Sequence, residues 1–131
     1  MPARTSMHPT TAELEVLSIL WRRGPSTVRD VHQLLQADRT TSLTTTLKIL
    51  QVMTDKGLTT RTDSRPQLYA AAKPAEKTQA GLLRDLVRRA FDGSVRKLMV
   101  RAVEDGGLNG DELREIQRLI DSYRKGKRGD Q

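Results

Sequence analysis

Cysteine is absent from the 131 residues, which removes disulfides, thiolate metal sites and cysteine nucleophiles. Aromatic residues are scarce: one Trp, two Tyr and one Phe. Trp21, Tyr69, Phe91 and Tyr123 are too scattered to make a base-stacking platform for single-stranded nucleic acid. No apolar run approaches the ~18 residues that suggest a membrane span, so no direct membrane insertion is expected. The stretch Met1-Pro-Ala-Arg-Thr-Ser-Met-His-Pro9 lacks the apolar segment of a secretory signal and reads as a flexible leader over residues 1–9. The expected compartment is the cytoplasm. Catalytic arrangements are missing as well. His8 and His32 stand apart, and a single helical His is more often filler than a ligand. The carboxylates alternate with basic residues along helices, as on a solvated face. No Gly-Lys-Ser/Thr follows Gly106-Gly107, so no phosphate loop forms there. No enzyme, metal site or cofactor is expected.

What is present is positive charge, unevenly placed. Residues 1–73 hold 10 Lys/Arg against 6 Asp/Glu, residues 74–123 hold 9 against 9, and residues 124–131 hold 4 against 1. A basic front half suits a polyanion partner.

The periodicities predict a mainly α chain with a small β-hairpin. Thr10 and Glu13 have capping-box spacing ahead of a helix with Leu14, Val16, Leu17, Leu20 and Trp21 on its apolar face, closed by Gly24-Pro25. Ser26 or Thr27 caps a second helix with Val28, Val31, Leu34 and Leu35 inward. After the turn Ala37-Asp-Arg-Thr40, a third helix begins near Ser42 with Leu43, Leu47, Leu50 and Met53 at helical spacing. The runs 58–62 and 67–71, joined by Asp63-Ser-Arg-Pro66, read as a hairpin. Helix, helix, helix, hairpin is the order of a winged helix-turn-helix domain, predicted over residues 10–73.

Lys73-Pro74 marks a boundary. Three further helices are predicted over 74–125, ahead of a basic tail, 126–131. Their apolar seams include Leu83, Leu86, Val87, Ala90 and Phe91; then Leu98 and Met99; then Leu113, Ile116, Ile120 and Tyr123. The last set has coiled-coil-like spacing. About 50 residues bury too little surface to be stable alone, so a homodimerisation domain is expected, with folding back on the front domain as the alternative.

The third helix is the candidate reading element. Threonine is a poor helix former, yet Thr44, Thr45 and Thr46 are consecutive. Ser42, Thr44, Thr45, Lys48 and Gln51 lie largely off the apolar stripe, and Thr41, Ser42, Thr44, Thr45 and Lys48 are the candidate DNA contacts. Thr hydroxyls and methyls can contact phosphates and thymine, and Lys48 can reach a guanine or a phosphate of double-stranded DNA. Arg61 and Arg65 in the wing, and Thr27 and Arg29 at the start of the second helix, are candidate phosphate contacts. Two rival readings remain: a winged-helix adaptor that binds protein, and a regulator that senses a small molecule.

The ordered set Glu13-Leu-Glu-Val-Leu-Ser-Ile-Leu-Trp21, Pro25-Ser-Thr-Val-Arg-Asp-Val31, Thr44-Thr-Thr-Leu-Lys-Ile-Leu-Gln-Val-Met-Thr-Asp-Lys-Gly-Leu58 and Gln67-Leu-Tyr69 resembles the penicillinase-repressor family of bacterial transcription regulators over residues 9–125. The resemblance implies a homodimer with an N-terminal winged helix and a C-terminal three-helix dimerisation domain. It implies repression at inverted-repeat operators with TACA/TGTA-like elements, in many members ahead of β-lactamase or related resistance genes. It also implies release through cleavage in the C-terminal domain, signalled by a membrane sensor protease. The matching position lies within Val100-Arg-Ala-Val103, where Arg101 and Ala102 differ from the pair of the cleaved members. The cysteine cluster of copper-responsive members is missing, which removes that mode of release.

Overall fold

The computed structural model describes residues 8–35 and 41–129, with side chains through residue 126. Most of the expected leader, the turn at 37–40 and the end of the basic tail lie outside them. The chain divides into two compact units, one up to Arg84 and one from Asp85.

In the first unit, α1 (Thr11–Arg23) starts on a capping box. The Thr10 hydroxyl accepts from the Glu13 N–H at 3.2 Å, and the Glu13 carboxylate accepts from the Thr10 N–H at 2.9 Å. Two N–H groups that the helix cannot pair internally are thereby satisfied. The helix ends at Gly24, whose positive φ of 87° suits a residue without Cβ. α2 (Val28–Leu35) has its own reciprocal pair, Thr27 with Asp30, at 3.1 Å in both directions. α3 (Leu43–Asp55) is capped by Ser42, whose hydroxyl oxygen accepts from the Thr45 N–H at 3.1 Å. Gly57, φ 83°, turns the chain into β1 (Thr59–Arg61), which pairs antiparallel with β2 (Tyr69–Ala71) in the register Thr59–Ala71, Thr60–Ala70, Arg61–Tyr69.

A feature absent from the sequence reading completes this sheet. Ser26 and Tyr69 exchange backbone hydrogen bonds of 2.9 and 2.7 Å, so the link between α1 and α2 lies against β2 as a third extended segment. Trp21 adds a second tie, donating from its indole to the Lys73 carbonyl at 3.0 Å. The core holds Val16, Leu17, Ile19, Leu20, Val31, Leu35, Leu50, Met53 and Tyr69. Three expectations about inward faces are corrected. Leu34 is 45% exposed. Leu43 and Leu47 are only half-buried, and Thr46, fully buried, takes the central place on the inner face of α3. Ile19, not expected inside, is in the core, while Trp21 packs against its edge and Leu14 is only half-buried.

α4 (Ala75–Ala90) crosses the division between the units and is followed by α5 (Val95–Glu104) and α6 (Gly110–Gly129). Ser94 caps α5 through the Lys97 N–H at 3.1 Å, and Asn109 and Glu112 cap the start of α6 reciprocally at 2.9 and 3.0 Å. Among the described residues from Asp85 onward, Val87 is the one buried side chain. A helical unit with one buried residue has almost none of the apolar burial, about 1.5–3 kcal/mol per large side chain, that normally offsets chain entropy.

Candidate nucleic-acid interface

The burial of α3 separates its two faces. Thr46, Leu50 and Met53 point inward, and Ser42, Thr44, Thr45, Lys48 and Gln51 are exposed on the opposite side. The positions 44, 45, 48 and 51 recur at three- and four-residue steps, so they form one stripe. The run of three threonines therefore splits by function. Thr46 is structural: its hydroxyl lies 2.9 Å from His32 Nδ1 and 3.4 Å from the Ser42 carbonyl, joining α2 to α3. Thr44 and Thr45 face outward. Ser42 and Thr45 hydroxyls lie 2.9 Å apart, so the cap and the first turn are held together. Thr41 precedes the cap and is half-buried.

The position of α3 is fixed at its other end by an ion pair spanning 43 residues of sequence. Lys56 Nζ lies 2.8 and 3.0 Å from the two carboxylate oxygens of Glu13. Burial by itself raises the Glu13 carboxyl, but the Lys56 hydrogen bond and charge, together with the Thr10 N–H and hydroxyl, outweigh it and hold the group below its ordinary value.

In the wing, Arg61 and Arg65 are exposed. The turn between them is shaped by Thr62, whose hydroxyl accepts from the Leu68 N–H at 2.9 Å and lies 2.6 Å from the Ser64 hydroxyl. Asp63, also exposed, puts one negative charge in this turn. At the start of α2, Thr27 is half-buried and Arg29 exposed. Asp30 is held below the usual carboxylate range by the Thr27 N–H, then by the Thr27 hydroxyl and Arg23, whose guanidinium is 3.3 Å away. Thr27 and Arg29 share a cleft of about 230 Å³ with Leu47 of α3 and with Pro66, Gln67 and Tyr69 of the wing. The fold thus brings the start of α2, the middle of α3 and the wing together. Sequence reasoning missed Gln67 and Tyr69. No local signal marks them, because the cleft arises from the Ser26–Tyr69 pairing.

The cations sort by partner. Arg23, Lys56, Arg88, Arg89, Lys97, Arg101 and Arg114 are in ion pairs. Arg29, Lys48, Arg61 and Arg65 have none among the described residues. An exposed surface with small hydroxyls, an amide and uncompensated cations has the chemistry of a phosphate-facing interface.

The penicillinase repressor family model matches residues 9–122. The chain belongs to the penicillinase-repressor family. Membership makes it a transcriptional regulator and not an enzyme. Two curated relatives, both described as transcriptional regulator BlaI, come from Mycobacterium tuberculosis strains CDC 1551 and H37Rv. Each is 35% identical over 111 residues, covering 82% of this chain and 79% of the relative. Among solved structures, a MarR family transcriptional regulator from Silicibacter pomeroyi aligns over 96% of this chain and 76% of its own, at 23% identity and a TM-score of 0.49.

In the rest of this family member, the seam residues Leu83, Leu86, Ala90, Met99, Leu113, Ile120 and Tyr123 are exposed, and Phe91, Leu98 and Ile116 are half-buried. Val95, Val100, Val103 and Leu119 add to the exposed apolar surface. Arg101 is exposed on α5 and lies 3.5 Å from Glu104, while Ala102 is half-buried. Among the described residues no group could hold a metal ion, and no helix is long and apolar enough to cross a membrane.

Proposed function

We propose that this regulator is a homodimeric, sequence-specific DNA-binding repressor that presents the outer stripe of α3 to the major groove. The carrying observation is the row Thr44, Thr45, Lys48 and Gln51, exposed on a helix whose opposite face is locked into the core. Thr methyls suit thymine methyls, Lys48 suits a guanine or a phosphate, and Gln51 suits adenine. Arg61 and Arg65 would bind phosphates beside the groove, and Thr27 and Arg29 another at the start of α2. The operator would be an inverted repeat with TACA/TGTA-like elements, its half-sites about one helical turn (~34–36 Å) or a multiple apart, in front of β-lactamase or related resistance genes. The relatives described as BlaI support this reading.

The dimer would be made by the second unit. Its exposed apolar residues on three consecutive helices, against one buried side chain among the described residues, support a second copy as the missing half of the core. Release by a membrane sensor protease would cut at Arg101-Ala102. These lie inside α5, which has no buried residue, so local unwinding to the extended form a protease needs would cost little. Following the mass of the protein in cells challenged with a β-lactam tests the cut, and derepression with the chain intact removes it.

Selection of duplexes from a random-sequence library by the full chain tests the function itself. Enrichment of a two-fold repeat, bound with a steep salt dependence, is the expected result. An adaptor that binds protein would enrich no sequence.

A further inference from the structure

A second basic site lies away from the reading face of α3. A cavity of about 410 Å³ includes His8, Lys56, Lys73, Lys77, Gly81 and Arg84 in its lining. Every ionisable side chain in this lining is a base and none is an acid. Glu13 engages Lys56, but Lys73, Lys77 and Arg84 form no ion pair among the described residues. Lys77, Gly81 and Arg84, at steps of four and three, share one face of α4. Lys77 and Arg84 are thus two turns apart on that face, about 10.5 Å along the axis, with Gly81 between them.

Gly81 leaves the wall of the cavity open. It lies inside α4, where glycine costs about 1 kcal/mol relative to alanine. A Cβ built there meets no heavy atom within 4 Å, and Gly81 does not have the positive φ of Gly24 or Gly57. The wall at Gly81 is therefore open, with room for a larger side chain. Pro9 and Leu58, both half-buried, supply apolar lining beside the cations. The cavity is also separated from the proposed DNA contacts. Lys56 follows the last residue of the 13-residue α3, about 20 Å along the axis from Ser42 at a rise of ~1.5 Å per residue.

We propose that this cavity binds a small organic anion, with a carboxylate or phosphate held by Lys73, Lys77 and Arg84 and a compact apolar body against Pro9 and Leu58. The site does not depend on the DNA-binding reading.

The test is calorimetric titration of the full-length protein with 2-naphthoate and 2-naphthyl phosphate, with neutral 2-naphthalenemethanol as comparison. Saturable binding of at least one anion, at least tenfold tighter than the alcohol, is expected. Gly81→Leu, which fills the cavity with a better helix former, and the double variant Lys77→Gln/Arg84→Gln should each weaken it at least tenfold. Both should keep the wild-type sedimentation coefficient, and neither should melt below the wild type. Operator DNA should not displace the probe. The proposal is overturned by no saturable binding of either anion, by equal binding of the alcohol, by binding indifferent to both variants, or by displacement with DNA, which would make the cavity a phosphate contact of the duplex. If Gly81→Leu changes sedimentation, the space at Gly81 belongs to an interface and the proposal falls as well.

Discussion

Replacing Lys56 by methionine would leave the Glu13 carboxylate in place without its cation. The Glu13 side chain is 7% exposed and Lys56 23% exposed. Removing one partner of a fully buried pair costs about 3–5 kcal/mol; partial access of Lys56 to water lowers the expected loss to about 2–3 kcal/mol at neutral pH. The pH dependence separates this cause from lost packing. In the native protein Glu13 lies below its ordinary value, so its contribution is present above the unfolded pKa, ~4.3, and is lost as pH falls through the lowered native value. In Lys56→Met the hydrogen bond and charge of Lys56 are gone while burial and the Thr10 hydrogen bonds remain, so the group lies higher than in the native protein. The destabilisation relative to the native protein is then present at neutral pH and is relieved as the carboxylate protonates. The stability gap between the two proteins should therefore shrink as pH is lowered from 7 to 4. Urea unfolding at one fixed protein concentration, repeated across that range, measures it. A gap that does not change with pH would refute the reasoning.

Thr46→Val should destabilise the first unit by about 0.5–1.5 kcal/mol, because His32 Nδ1 loses its 2.9 Å partner; Thr44→Val, on the exposed stripe, should change thermal stability by less than about 0.5 kcal/mol. Ile120→Asp places a charge in the exposed seam of α6 and should convert a dimer to monomers in sedimentation at micromolar concentration. Arg65→Ala should weaken operator and non-specific DNA alike and reduce the slope of log affinity against log salt by about 0.9, as for one phosphate contact. Binding of both DNAs with an unchanged slope would remove the wing arginine from the interface.

Local chemistry made much of the fold readable. The capping box of Thr10 and Glu13 marks the start of α1, Gly24-Pro25 its end, and the outer stripe of α3 follows from its 3.6-residue period. What stayed hidden depends on partners distant in sequence. Thr46 resembles its neighbours Thr44 and Thr45 until His32, 14 residues earlier, is seen beside it. Glu13 serves its own cap and also Lys56, 43 residues on. Ser26 looks like a helix cap, but its backbone pairs with Tyr69, and this pairing creates the cleft that adds Gln67 and Tyr69 to Thr27 and Arg29. Tyr69 keeps one unexplained feature: its buried hydroxyl has no hydrogen-bond partner among the described residues. In the C-terminal half the apolar periodicity was plain, but whether it packs inward or outward is a tertiary property. Leu83, Leu86 and Ile120 are exposed where Val87 is buried, a distinction that residue type does not carry.

The central claim is that the exposed stripe of α3 reads DNA sequence. Its most direct test is the affinity of Lys48→Ala for the selected operator and for a scrambled duplex, measured by fluorescence anisotropy at several salt concentrations. A base contact predicts a loss of about 1–3 kcal/mol, roughly 5- to 150-fold, on the operator and little change on the scrambled duplex. A phosphate contact predicts an equal loss on both with a shallower salt slope. Unchanged affinity for both duplexes would contradict the account.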